Sequence, residues 1–189
     1  DHDFEKPVSR EGWHQEPFVI MSSHLARRQD RQREILDAAD PWDLVVLDEA
    51  HHARTKGAGT PQAKGPNRLL QLMRSLRRRT DGLILLTATP LQVHATELWD
   101  LLDLLGMPPE WTPDAFVRFF SEVAKEPVTN ESLDWLSALF RANEAHFGEM
   151  ARADAERHTR LSGLKCRKVL QALRDPVSIP RRQLSPEER

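Results

Sequence analysis

The chain has 189 residues, 39% of them apolar and 30% charged, which is enough for a domain-sized core and ordinary for a globular protein. A net charge of −2 excludes a globally basic nucleic-acid binder, so any cationic surface has to be local. The lone Cys166 excludes an internal disulfide and suits a reducing cytoplasm, and no apolar run approaches the ~20 residues of a membrane helix.

Residues 1–17 are polar and without pattern, a leader or loop. Phe18-Val19-Ile20-Met21 reads as a short strand that delivers Ser22-Ser23 as a helix N-cap. His24 to Ala39 reads as one helix carrying Leu25, Ile35 and Leu36, stopped before Pro41. Leu44-Val45-Val46-Leu47 is an aliphatic strand followed by Asp48-Glu49-Ala50-His51. A loop rich in Gly and Pro then runs from Ala53 to Pro66. Asn67 can cap a helix to about Arg79 that buries Leu69, Leu70, Leu72, Met73 and Leu76. Asp81-Gly82 turns into a third strand, Leu83-Ile84-Leu85-Leu86, which ends in Thr87-Ala88-Thr89-Pro90. A helix from about Ala95 to Leu105 closes at Gly106. Aliphatic strands alternating with helices imply right-handed crossovers, a parallel sheet and the α/β class.

Beyond Pro109 the pattern becomes all-helical. Thr112-Pro113 is a cap and first-turn start for a helix with Phe116, Phe119, Phe120 and Val123. A second helix runs from about Glu131 with Leu133, Leu136, Leu139 and Phe140 at helical spacing. Weaker helices cover 149–160 and 163–174, and Pro176, Pro180 and Pro186 predict an extended tail.

The chemistry sits at the strand ends, which in open parallel sheets face the ligand crevice. Asp48 can hold Mg²⁺ through its waters, and Glu49, pointing differently, can polarise an attacking water. Thr87 and Thr89 offer hydroxyls at the next strand end, and His51 has the reach to join them. Adjacent His51 and His52 lack the ligand spacing of a zinc site. Lys56-Gly57-Ala58-Gly59 and Lys64-Gly65 only faintly resemble a phosphate loop, because Pro61 and Pro66 interrupt the strand-to-helix context that such a loop needs. No G-x-x-x-x-G-K-[ST] occurs anywhere in the sequence. Both ends of the chain read as cuts in a longer polypeptide, made after a phosphate-binding strand.

Asp48-Glu49-Ala50-His51 with Thr87-Ala88-Thr89-Pro90 resembles the Walker B (DEAH) and coupling motifs of superfamily 2 helicases and translocases. Residues 18–107 are similar to the Swi2/Snf2 branch, in its bacterial RapA-type or phage-defence-associated form. The match runs from Phe18 to Arg28, from Asp48 to Arg54, and from Thr87 to Gln92 with Glu97-Leu98-Trp99 following. The resemblance implies a partial RecA-like P-loop NTPase lobe over 18–107, whose phosphate-loop strand is missing. It implies a helical insertion or linker over 108–189, toward an absent second RecA-like lobe. It further implies ATP and Mg²⁺ as cofactors, with Glu49 and Asp48 catalytic and His51, Thr87, Thr89 and Gln92 coupling hydrolysis to movement. Ser22, Ser23, Arg27 and Arg28 would meet the phosphate backbone of double-stranded DNA. The parent would be a cytoplasmic DNA translocase, and these 189 residues alone would be inactive. An RNA helicase of the DEAH or DEAD-box type, and a non-catalytic helical adaptor built on residues 110–189, remain open. Arg77, Arg78 and Arg79 read as solvated cations at a helix end, and Lys165, Arg167, Lys168, Arg181 and Arg182 as a solvated face rather than a DNA path.

Overall fold

Two parallel strands, β1 (Trp42–Leu47) and β2 (Thr80–Leu85), pair in a register that sets Leu44 beside Gly82 and Leu47 beside Leu85. The structure, a computed structural model, describes residues 12–57, 64–88, 95–125, 129–180, 183–186 and 188. It divides into two compact units, residues 1–107 and 108–189.

In the first unit, Ser23–Ala26 forms α1 and Gln29–Arg33 forms α2, which continues as a π-helical turn over Glu34–Ala38. The single helix expected from His24 to Ala39 is therefore broken. Arg28 leaves the helical region at ψ 139° and becomes the residue that starts α2. The wider turn that follows lets Ile35 reach the core. α3 (Arg68–Leu76) starts where Asn67 Oδ1 accepts the Leu70 N–H at 2.9 Å, and it buries the five apolar residues that its spacing predicts. α4 (Ala95–Leu104) adds Leu101 and Leu104 to the same core, and Gly106 follows at φ 92°. Trp13, in a segment read as plain loop, is buried with its Nε1 donating to Glu34 at 2.8 Å.

Strand alternation then separates two faces. Val45, Leu47, Leu83 and Leu85 meet the core that holds α3 and α4. Leu44, Val46, Ile84 and Leu86 occupy the opposite face and are 43–52% exposed. Two expectations fail here. Phe18–Met21 is not a strand among the described residues: Val19 and Met21 pack on the core, but Phe18 and Ile20 are 91% and 99% exposed. Its apolar alternation is real, yet a strand exists only where a neighbour takes its backbone hydrogen bonds. Asp81-Gly82 is not a turn either, since β2 already begins at Thr80. Glycine suits that position because a Cβ on Gly82 would lie 3.1 Å from the Leu44 side chain and 3.3 Å from the Asp43 carbonyl.

The second unit is helical: α5 (Pro113–Val123), α6 (Asn130–Phe147), α7 (Arg152–His158) and α8 (Gly163–Arg174). Thr112 and Thr129 cap α5 and α6 through side-chain oxygens. Trp111 contacts Phe116 and Phe119 edge-on or tilted and donates its Nε1 to Asn143 at 2.8 Å. The described part of the tail does not extend away. Lys168 holds it, donating to the Gln183 carbonyl at 2.6 Å and pairing with Glu188 at 3.0 Å, while Leu184 is buried.

Glu122 is the polar knot of this unit. Hydrogen bonds from Lys125, from the Ser132 hydroxyl and from Arg118 hold its carboxyl well below the ordinary 4.5, at about 2. A depressed folded-state value contributes stability above pH 4.5 that is lost as pH falls toward 2. Thermal melts in that window should therefore show a steeper acid loss for the wild type than for Glu122→Gln. Parallel curves would remove Glu122 from the acid transition.

Candidate functional site at the strand ends

The ladder between β1 and β2 does not stop where the strands stop. Leu86 donates its N–H to the Leu47 carbonyl at 2.9 Å, and its own carbonyl accepts the Ala50 N–H at 2.9 Å. These two bonds pull the turn after β1 against the end of β2. Ala50 and Ala53 are wholly buried in consequence, so only small side chains fit there. Between them and the strand, Glu49 is forced to φ 52° and ψ 46°, the one non-glycine residue at positive φ among the described residues. A left-handed conformation costs an L-residue roughly 1–2 kcal/mol. Strain of this kind persists where the surroundings over-determine it, and it clusters at working sites.

The side chains follow from that turn. Asp48 is exposed, and its Oδ1 accepts the Glu49 N–H at 2.9 Å. Glu49 turns toward the ring of His51, with Oε2 3.2 Å from Nδ1. The same Nδ1 lies 3.0 Å from Thr87 Oγ1 at the end of β2. A carboxylate beside Nδ1 favours the tautomer with hydrogen there, so one N–H is shared between the carboxylate and the hydroxyl. His51 thus links the acid turn to the threonine turn through a half-buried ring that is also in tilted contact with His52, centroids 4.2 Å apart.

Thr55, Arg74, Asp100 and Asp103 also belong to the site and escaped the sequence reading. Asp100, only 3% exposed, accepts the Thr55 N–H at 2.6 Å and the Thr55 hydroxyl at 3.2 Å. Arg74 approaches Asp100 at 3.5 Å and pairs with Asp103 at 3.1 Å, while Arg54 pairs with Glu97 at 3.1 Å. Burial pushes the Asp100 carboxyl above its ordinary value, against the pull of the Thr55 hydrogen bonds and of Arg74. The segment after the acid turn is therefore clamped to α4, the helix after the threonine turn. A signal was present: Asp100 lies four residues before buried Leu104, on the same helical face.

The other predicted residues are placed less pointedly. Ser22 Oγ accepts the Leu25 N–H at 3.2 Å and so caps α1, and the Ser23 carbonyl accepts Arg27 Nε at 2.9 Å. Arg28 forks onto Asp30 at 3.2 and 3.0 Å. Thr89 and Gln92 lie outside the described residues. Lys56 and Lys64 are joined by the Lys64 N–H to the Lys56 carbonyl at 2.9 Å, and neither stands at a helix start.

Residues 9–183 match the SNF2-related domain. The chain belongs to that family. Members of the SNF2 family are ATP-dependent motors that use ATP with Mg²⁺. The SNF2 site here fits such a metal in one respect. Among the described residues no cluster of three His, Cys, Asp or Glu could cage a cation, whereas Mg²⁺ commonly keeps its waters and takes one or two carboxylates beside substrate phosphates. Asp48, exposed and with no partner for Oδ2 among the described residues, is suited to that role. No helix among the described residues is long and apolar enough to cross a membrane.

Two outcomes test this site. At position 49 the Glu49→Gly variant should be more stable than Glu49→Ala by about 1 kcal/mol, because only glycine takes φ 52° without strain. Equal melting of the two variants would mean that the turn relaxes. Asp100→Ala, which leaves the Thr55 N–H and hydroxyl without their acceptor, should cost about 1–3 kcal/mol in denaturant melts. A cost within error of zero would dismiss the clamp.

Proposed function

We propose that this SNF2-family chain forms the acid-bearing and coupling part of a cytoplasmic ATP-dependent translocase on double-stranded DNA, of the bacterial RapA-type or phage-defence-associated kind. Asp48 holds Mg²⁺ through water, Glu49 orients the attacking water, and His51 with Thr87 reports the state of that site to the segment that carries Thr89 and Gln92. The observation that carries the reading is the His51 ring shared between Glu49 and Thr87 at 3.2 and 3.0 Å. Water activation and the coupling turn then cannot rearrange independently.

Residues 18–107 serve in this reading as half of a RecA-like lobe, and 108–189 as a helical insertion toward a second lobe. The apolar face of Leu44, Val46, Ile84 and Leu86 supports it, because parallel sheets in α/β proteins are normally covered on both faces. The absence of G-x-x-x-x-G-K-[ST] from the sequence supports it as well, since amides and lysine of that motif cradle the β- and γ-phosphates. Ser22, Ser23, Arg27 and Arg28 meet the DNA backbone without reading bases, for which Arg28 has to leave Asp30.

The purified chain with Mg-ATP should release phosphate only at background rate, and Glu49-dependent turnover would refute the division of labour. In a motor that carries this chain with its phosphate loop and second lobe, Glu49→Gln should retain nucleotide and stall hydrolysis, whereas Asp48→Ala should weaken Mg-ATP binding. ATPase activity should rise more with duplex DNA than with duplex or single-stranded RNA. Preference for RNA would transfer the protein to the RNA-helicase reading.

A further inference from the structure

The α7–α8 hairpin is a basic island in a chain of net charge −2: from Glu149 to Arg174 it holds seven Arg or Lys against three acidic residues. Sequence alone leaves Lys165, Arg167 and Lys168 among them as a solvated face. The structure gathers three of them around one depression of about 540 Å³, lined by Arg152, Ala153, Arg167, Leu170, Gln171 and Arg174. Arg167, Gln171 and Arg174 fall at i, i+4 and i+7 on α8, a single stripe about 10 Å long, and Arg152 enters from α7.

Local partners hold these guanidiniums without exhausting them. Arg174 is set by two bonds to Glu144, at 2.8 and 2.6 Å, and by the Met150 carbonyl at 3.0 Å, all through Nε and Nη2. Among the described residues, its Nη1 has only exposed Glu149 near it, at 3.7 Å. Glu156 stands 3.5 Å from Arg152 but accepts the Gly163 N–H at 2.8 Å with the same oxygen, so its charge is divided. Arg167 has no ion-pair partner among the described residues. A guanidinium carries five N–H donors in a planar fork that matches a phosphate.

We propose that this groove is a nucleic-acid phosphate site, a contact of the helical unit with the DNA backbone that is separate from the strand-end site. Its lining decides the class of partner. A protein-binding groove would offer an aromatic or deep apolar anchor point. This one offers buried Leu170, a small Ala153, one amide and three guanidiniums. The choice of duplex DNA as the polyanion rests on the motor reading above.

The test uses the whole 189-residue chain, without nucleotide, and the anisotropy of a short fluorescent duplex of mixed sequence between about 50 and 200 mM salt. The wild-type chain should bind, tolerating any sequence. Arg152→Glu with Arg167→Glu should weaken binding about tenfold and flatten the log–log salt slope by roughly 1.8, near 0.9 for each lost contact. Arg167→Gln alone, which breaks no ion pair among the described residues, should flatten it by roughly 0.9 with an unchanged melting temperature. Absence of duplex binding, or unchanged affinity and slope in both variants, overturns the site. Tighter binding of polyglutamate than of duplex also overturns it, in favour of an acidic protein. Binding that ignores Arg152 and Arg167 but falls with Arg27→Glu and Arg28→Glu ends the groove assignment and leaves the motor reading standing. RNA-preferring ATPase with the groove slopes intact does the reverse.

Discussion

The site depends on Leu86. Its N–H reaches back to Leu47 and its carbonyl takes the Ala50 N–H, each at 2.9 Å. A parallel ladder normally ends where the chain leaves the sheet, but these bonds carry it one step beyond β1 and β2. The step fixes the distance between two turns that lie 36 residues apart in sequence, His51 and Thr87 being the pair that meet. It also bends the backbone at Glu49 into the left-handed region, where glycine would be the relaxed choice. A glutamate at that position is a local stability cost that the fold tolerates, and its carboxylate is the group proposed to orient water.

The second tier is the clamp on α4. Thr55 and Arg54 follow the acid turn, and Asp100 and Glu97 follow the threonine turn, so both ends of the His51 link are also tied one layer further out. Asp100 is the costly member, since a buried carboxylate is favourable only while its donors stay in place. A movement of α4 would draw Thr55 with it, and the acid turn begins at Asp48, in the segment just before Thr55. Mechanical linkage of this sort needs no long pathway.

How much of this was legible in the sequence follows from what each residue depends on. Asn67 and Thr112 begin their helices through bonds within four residues, so local chemistry announces them. The burial of Leu69 through Leu76 follows from period alone. The pairing of Asp48–His51 with Thr87 was legible because two short motifs sit at the ends of aliphatic runs. Phe18–Met21 misled, because apolar alternation measures contact with a core and not possession of a hydrogen-bonding neighbour. Gly82 misled in the opposite sense: Asp-Gly signals a turn locally, while the close approach of Leu44 is a tertiary fact. The Arg27–Arg28 break and the folded-back tail at Lys168 were likewise set by partners that periodicity does not see. The groove of Arg152, Arg167 and Arg174 needed two helices placed side by side before its charges could be told from a solvated face.

In the proposed motor, His51 joins water activation to the coupling turn. A double-mutant cycle on the complete motor, with His51→Ala, Thr87→Ala and the pair, measures it most directly, reading the ratio of DNA-stimulated to basal ATPase. Either single change should lower the ratio and the second should add little to the first, a coupling in the range of about 0.5–3 kcal/mol found for residues in contact. Fully additive losses would contradict it, because they would mean that the 3.0 Å contact between Nδ1 and Oγ1 carries nothing between the two turns.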